Sequence, residues 1–477
     1  MQRRVMKGGG ASFAIPCVAS LAMVTLFVAF WLLHPYGPSL TASPGCLLAA
    51  SAAANSKATA ETATITNPPA AEDPNKRALR PYGSAAALFV QMGAYRGGPR
   101  TFAVVGLASK PTHVFGTPYF ECEWLPNPAA AAAAAGDGDP VRTAKAYAML
   151  PDWGYGRVYT VVVVNCTFPS NPNAANAGGR LLVRAYHSAA SRRHERFVAL
   201  EEAPGSYDES RFRPPFPYDY LYCGSPLFGD LSAARVREWV AYHARLFGAR
   251  SHFVLHDAGG VGPAVRAALE PWVRAGRVTV QDVRALEEYD GYYHNQFLVL
   301  NDCLHRYRHA ANWTFFFDVD EYIYLADGRR LDDVLGMLSN YTQVTIKQNP
   351  MSWKLCVQDP SRNHSREWGF EKLVFRNAVV KPRRERKYVV QARSTYSAGV
   401  HMSQDFDGRK ADGTESLIRY YHYHNSINVA GELCREHLPA PANASETVTF
   451  KGVPYVVDDN MRRLAGEVKR FERETIG

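Results

Sequence analysis

The sequence predicts an α/β fold behind a small all-β domain, with one transmembrane helix ahead of both. Three observations predict it. Phe13 to Leu33 is 21 residues without a charged side chain. Between Thr101 and Tyr186, short β-branched and aromatic segments are separated by Gly, Pro and Asn. From Tyr218 onward, apolar strand-like runs alternate with segments of helical periodicity, the pattern of a parallel sheet with right-handed crossovers.

The N-terminal run is long enough to cross ~30 Å of hydrocarbon as a helix. Arg3, Arg4 and Lys7 precede it, and no Lys or Arg follows until Lys57. The positive-inside bias therefore puts residues 1–12 in the cytosol and everything after residue 33 in a lumen. A cleaved signal peptide would have a shorter apolar core and small residues at a cleavage site. Here the run ends in Trp31-Leu-Leu-His34-Pro35, so an uncleaved anchor at 13–33 is expected. Residues 34–80, rich in Ala, Ser, Thr and Pro, read as a flexible stem.

Residues 81–205 read as the all-β domain. Its expected strands are 101–106, 113–116, 119–124, 145–150, 158–168 and 180–186, separated by Gly, Pro and Asn as in a two-sheet sandwich. Cys122 and Cys166 each fall on a strand and suit a cross-link. Ala129 to Ala135 interrupts the domain as a low-complexity loop. Tyr119, Trp124, Trp153 and Tyr155 are candidates for a sugar-stacking platform, with core packing as the competing role of each.

The α/β part spans 216–477. Asp219 to Gly224 is a strand, and Ser232 is placed to cap a helix carrying Val236, Trp239, Val240, His243 and Phe247, closed by Gly248. Ser251 to Asp257 is a strand, Val261 to Ala275 a helix, Arg277 to Asp282 a strand and Tyr292 to Arg308 a helix. The apolar strand Trp313-Thr-Phe-Phe-Phe-Asp318-Val-Asp320 follows. Ligands of such sheets bind beyond the carboxyl ends of the strands, which here carry Asp257, Asp282, Asp318 and Asp320.

Two carboxylates closing a buried strand are costly unless paired. A divalent cation carrying a diphosphate is a natural partner, since hard oxygen ligands suit manganese and magnesium. With the membrane anchor, this points to a transferase that uses a nucleotide-sugar. The remaining composition agrees. Seven of the eight cysteines lie outside the anchor, which suits an oxidising lumen. Their spacing suggests no zinc site. Sequons occur at Asn165, Asn312, Asn340, Asn363 and Asn443. The net charge of +9 suits a solvated basic surface or an acidic polymer as partner. No segment resembles a nucleic-acid-binding module.

Asp219-Tyr-Leu-Tyr-Cys-Gly-Ser, Ser251-His-Phe-Val-Leu-His-Asp-Ala-Gly-Gly, Phe317-Asp-Val-Asp-Glu-Tyr and Arg419-Tyr-Tyr-His-Tyr-His-Asn together resemble glycosyltransferase family 92, and within it the plant galactan synthases. The resemblance covers roughly residues 80–477. It implies a GT-A fold, UDP-galactose as donor, a manganese ion, a carbohydrate-binding N-terminal domain and type II residence in the Golgi membrane. The implied activity is inverting, metal-dependent extension of β-1,4-galactan side chains of pectin. Homodimerisation is left open. The alternatives are a family 92 transferase acting on another acceptor such as N-glycans, and a non-catalytic polysaccharide-binding protein.

On the family pattern Asp320 is a direct metal ligand, and Asp318 meets the ribose or the metal. Glu321 is expected to play a structural role. Alternation puts His422 and His424 on one strand face as further metal ligands, with His401 a weaker alternative. Asp257 and Arg419 are candidates for the donor site. Inversion in one step needs a base on the acceptor hydroxyl. Glu371, among the aromatics of Trp368-Gly-Phe-Glu371, is the first candidate and Asp405 the second. Arg383, Arg384, Arg386 and Lys387 read as a solvated basic loop or a track for pectin.

Overall fold

The computed structural model describes residues 73–83, 88–110, 118–127, 145–148, 158–188, 190–289, 291, 293–358, 364–379, 385–430, 433–439 and 446–477. The expected anchor at 13–33, almost all of the stem, Ala129–Ala135, Trp153, Tyr155, Arg383 and Arg384 lie outside them. Among the described residues no helix is long and apolar enough to cross a membrane.

The N-terminal part is built from two sheets. One runs β1 (Arg80–Tyr82), β2 (Phe89–Arg96), β3 (Thr101–Ser109), β6 (Tyr159–Thr167) and β5 (Lys145–Ala148). The other runs β4 (Tyr119–Pro126), β7 (Gly179–Tyr186) and β8 (His194–Glu202). Phe102, Val104, Val162 and Val164 face Trp124, Leu181, Val183 and Phe197 between the sheets. The Cys122–Cys166 disulfide joins β4 to β6, with Cα atoms 5.8 Å apart. Trp124 is 7% exposed and stacks on Phe102 at 5.6 Å, so it belongs to the core and not to a platform. Tyr119 stacks on Tyr186 at 4.3 Å.

The other face of β2, β3 and β6 is also apolar. Val90, Met92, Ala103, Val105, Leu107, Val161 and Val163 are buried against Leu286, Tyr289, Phe297, Leu298 and Val299 of the following part. A strand buried on both faces needs a continuous apolar run rather than an alternating one, and Val161-Val-Val-Val164 is such a run.

In the C-terminal part the described strands are β9 (Tyr218–Leu227), β10 (Ser251–Asp257), β11 (Val278–Asp282), β12 (Ala311–Phe316), β13 (Glu321–Leu325), β14 (Gln343–Pro350), β15 (Leu355–Gln358), β16 (Phe375–Asn377), β17 (Arg386–Val390), β18 (Lys410–Ala411), β19 (Ile418–His422), β20 (Glu436–Pro439), β21 (Val448–Phe450) and β22 (Val453–Val457). The helices are α1 (Ala233–Phe247), α2 (Pro263–Arg274), α3 (Gln296–Arg306), α4 (Leu331–Met337), α5 (Gly369–Lys372) and α6 (Asn460–Ile476). Ser232 caps α1 through Arg235 N–H, and Gly248 ends it at φ +74°; that positive φ suits glycine.

The large sheet, nine-stranded among the described residues, has the order β11-β10-β9-β12-β17-β14-β19-β13, with β18 beside β14. Strands β11, β10, β9 and β12 are parallel, as expected. The remainder is mixed, because β17 runs antiparallel to both β12 and β14 and β19 antiparallel to β13. Only four residues, 317–320, join β12 to β13, although the two strands lie four positions apart in the sheet. The link folds into a turn, with Glu321 N–H donating to Asp318 O at 3.2 Å.

Residues 73–80, expected in the stem, are docked on this part. Asp282 N–H donates to Asn75 O at 2.7 Å, and Arg77 N–H to Asp282 O at 2.8 Å. Disulfides Cys223–Cys303 and Cys356–Cys434 tie β9 to α3 and β15 to the loop after β19.

Candidate active site

The turn between β12 and β13 delivers its two carboxylates to different neighbours. Phe317 O accepts from Tyr222 OH at 2.8 Å, which fixes where the strand ends. Asp318 N–H donates to Glu321 Oε2 at 2.8 Å, closing a tight turn. Asp320 O accepts from Tyr423 N–H at 3.0 Å, and its Oδ2 from Asn425 N–H at 3.1 Å. Asn425 has φ +62°, a left-handed conformation that Asn tolerates. The turn that holds Asp320 therefore also presents His424.

Asp320, His422 and His424 bring one ligand atom each within 4.8 Å of one another. His422 Nε2 lies 3.6 Å from Asp320 Oδ1, and His424 Nδ1 lies 3.4 Å from His422 Nε2. Burial opposes protonation of His422, but Asp320 and Glu321 outweigh it and raise its pKa. One carboxylate and two imidazoles on a cavity wall are a fitting donor set for a divalent transition ion. Gln348 Nε2 donates to His422 Nδ1, while Gln348 Oε1 is buried with no hydrogen-bond partner. The amide turned over would place Oε1 on an Nδ1–H donor and leave the Nε2 lone pair for the ion.

Asp318 has no part in that trio. Lys387 Nζ donates to its Oδ2 at 2.6 Å, and Gln296 Nε2 reaches its Oδ1 at 3.4 Å, beside Ser225 Oγ. Lys387 also lies 3.6 Å from Glu321, and both are 1% exposed. Burial would raise the Asp318 pKa, yet Lys387 and Ser225 hold it below the usual carboxylate range. Burial pushes Glu321 up to about 8, only partly offset by Lys387. Lys387 itself is raised because the acids outweigh its desolvation. The Lys387 ammonium thus lies between the partly exposed Asp318 and the buried Glu321.

These groups line one cavity of about 330 Å³. Its wall also carries Phe228, Tyr293, Glu385, His401 and Tyr420. Phe228 meets Tyr293 edge-on at 4.9 Å, and Tyr293 is 56% exposed. His401 lines the cavity but sends Nδ1 to Arg386 O at 3.0 Å.

Four expected site residues stand outside this wall. Glu371 Oε2 accepts from Trp368 N–H at 2.6 Å and meets Lys469, so it caps α5 and ties it to α6. Asp405 accepts from Ser397 Oγ at 2.6 Å. Arg419 donates to Glu415 O at 2.7 Å; alternation along β19 turns it away from the face of Tyr420 and His422. Asp257 accepts from Gly259 and Val261 N–H at 2.9 and 3.1 Å and caps the loop into α2.

Several wall residues did not stand out in the sequence, Phe228, Tyr293 and Glu385 among them. Lys387 looked like part of a solvated run, but strand alternation from Arg386 to Val390 turns it inward. Gln296, on the first turn of α3, carries no motif of its own.

The family model for glycosyltransferase family 92 matches residues 218–449. Galactan β-1,4-galactosyltransferase GALS1 of Arabidopsis thaliana is 59% identical over 405 residues, 85% of this chain and 79% of that protein. GALS2 of the same plant is 50% identical, over 84% of this chain and 76% of its own. GALS3 is 47% identical, over 84% and 79%. A solved structure of the bifunctional glycosyltransferase WbbM covers 33% of this chain and 27% of its own at 13% identity and TM-score 0.19, too slight a likeness to inform the fold.

Proposed function

Because the chain belongs to glycosyltransferase family 92, we propose that it transfers galactose from UDP-galactose to β-1,4-galactan side chains of pectin. The reading includes a GT-A catalytic half and inversion at the anomeric carbon. The observation that carries it is the cavity in which Asp320, His422 and His424 converge beside the Lys387–Asp318–Glu321 cluster. Galactan as acceptor is supported by the names of three relatives that each align over more than four-fifths of this chain.

Asp320, His422 and His424 would hold manganese, which when bound offsets the negative charge of the diphosphate. Lys387 keeps Asp318 ionised, and Ser225 and Gln296 fix its orientation. The aromatic pair Phe228 and Tyr293 offers ring faces to a base or a sugar. In the transfer, the acceptor oxygen forms a bond to the anomeric carbon as the bond to phosphate breaks. The bonding pair leaves with UDP, and the acceptor proton needs a base.

Glu385 suits that task better than Glu371 or Asp405. It is an exposed carboxylate on the cavity wall, outside both the cation trio and the Lys387 cluster. The uncharged run Phe13–Leu33 and its basic flank support a single-pass type II anchor with the catalytic part in the Golgi lumen. Three disulfides suit that oxidising side.

The test is transfer by the detergent-solubilised full chain from UDP-galactose to labelled galacto-oligosaccharides, with manganese and with excess EDTA. Glu385→Gln should lose roughly 10²–10⁴-fold in transfer with donor binding retained, while Asp405→Asn stays active. Full transfer in EDTA would remove the cation from the reading. Equal transfer by Glu385→Gln and the parent would remove Glu385.

A further inference from the structure

His401 lines the transfer cavity but is not one of the three groups gathered for a cation. It comes from a segment, 398–403, that is pinned along its length. Asn301 of α3 accepts from Ala398 N–H at 2.8 Å and donates to Ala398 O at 2.8 Å. The Tyr388 hydroxyl donates to Gly399 O at 2.7 Å, and Gln343 Oε1 accepts from Ser403 N–H at 2.7 Å. Gly399 N–H closes the turn on Met402 O at 3.1 Å. A Cβ at 399 would meet that same oxygen at 2.4 Å, so the turn needs glycine there. Fixing a loop in this way costs conformational freedom. What this one sets on the cavity wall is Val400 and the His401 ring.

The ring turns one nitrogen to the cavity. Nδ1–H donates to Arg386 O at 3.0 Å, which leaves Nε2 as the acceptor of a neutral imidazole. Burial, and then the Lys387 charge, lower the pKa of the ring and keep it neutral. Among the described residues Nε2 has no hydrogen-bond partner, and it is not sealed from solvent as Nε2 of His256 is. It is an open acceptor, and a hydroxyl is the donor that suits it.

Its place in the cavity says which molecule brings that hydroxyl. The cation trio stands at the end of β19 and β13, whereas the ring hangs from the first residue of β17. Those strands are two positions apart in the sheet, about 10 Å. The carbonyl that holds the ring belongs to the residue after Glu385. Glu385 is exposed, while Gln296, Glu321 and Lys387 are buried. The end of a polysaccharide enters from the open side, where Glu385 and His401 stand as two neighbouring acceptors. An acceptor sugar held by one hydroxyl can turn about that contact, and a second contact fixes its direction.

We propose that His401 is a positioning residue that accepts a hydrogen bond from a second hydroxyl of the terminal acceptor galactose and so aims the attacking hydroxyl at Glu385. The proposal rests on the reading of galactan transfer given above.

The experiment is transfer kinetics on the detergent-solubilised full chain, with UDP-galactose, manganese and three β-1,4-galacto-oligosaccharides: intact, 3-deoxy and 6-deoxy at the terminal galactose. His401→Phe keeps a ring without the acceptor nitrogen, and His401→Gln restores a carbonyl acceptor. For the intact acceptor, kcat/KM of His401→Phe should fall by about tenfold, the scale of one hydrogen bond, and His401→Gln should recover part of it. With one of the two deoxy acceptors, parent and His401→Phe should be equal. Affinity for UDP-galactose, read by calorimetry, and thermal melting should not move. A loss of the same size with all three acceptors, a loss of UDP-galactose affinity, or no loss at all would each overturn the proposal. Should Glu385→Gln stay active, the base assignment falls, while the deoxy comparison still decides whether His401 touches the acceptor. No transfer to galactan by the parent chain would refute the functional reading itself, and this proposal with it.

Discussion

Asp318 and Asp320 are two residues apart and serve different partners. Asp318 is committed to Lys387, Ser225 and Gln296, whereas Asp320 faces the two histidines. Gln348 adds a level behind them by fixing which nitrogen of His422 is free. Groups that orient a metal-binding histidine typically contribute 10–100-fold to affinity. If manganese binds at this trio as proposed, Gln348→Leu should weaken its binding by about 10–100-fold, while Gln348→Glu retains it, as read by manganese titration followed by electron paramagnetic resonance. An unchanged affinity in the Leu variant would leave Gln348 with a packing role only. Asp320, His422 and His424 stood out by their chemistry, but alternation reaches only His422, where β19 ends, and His424 comes from the turn that follows. Lys387 was hidden in a basic run, and only the register of β17 turns it inward. Glu371 misled because aromatic neighbours suggested a desolvated base, when its carboxylate caps a four-residue helix.

At the scale of elements, α3 is the piece on which most depends. Its first turn holds Gln296 against Asp318, and its last turn is tied to β9 by Cys223–Cys303. Asp302 is fully buried on it, with Arg77 at 2.7 Å and Arg306 at 3.5 Å. Removing one partner of a buried pair leaves an uncompensated charge, at a cost of about 3–5 kcal/mol. Asp302→Asn should lower the urea midpoint accordingly, and Asp302→Leu with Arg77→Met should recover part of the loss. A double variant as unstable as the single one would mean that packing, not charge, holds this corner. The periodicity of α1 and α2 and the parallel strands β9 to β11 could be read directly. The mixed half of the sheet could not, because strand order after β12 depends on pairings between residues far apart in sequence. Strand β2 was missed because Gly93, Ala94 and Gln91 dilute its apolar pattern.

For the whole molecule, acid should be the effective denaturant. His243, His256 and His305 are fully buried, and desolvation pushes them down to about 3, 4 and 3 from 6.5. His243 has no room for a second proton, since Nδ1–H donates to Trp239 O and Nε2 accepts from Ile323 N–H. A histidine whose folded pKa is depressed takes up its proton in the unfolded chain first. The stability it contributes is complete above pH 6.5 and is lost as pH falls from there toward 3. The urea midpoint should therefore drop steadily below pH 6.5, and a variant with His243→Gln should show a shallower slope. A midpoint flat from pH 7 to 4 would contradict this account.

The second apolar face of the sandwich has a consequence for how the protein is made. The ribosome completes β8 at Glu202, but the residues that cover Val105, Leu107 and Val163 run only as far as Val299. For roughly a hundred residues of translation, the nascent sandwich therefore leaves this apolar sheet face uncovered. A module with such a face is not portable. It cannot be exchanged between proteins, or produced as a separate fragment, without carrying α3 along.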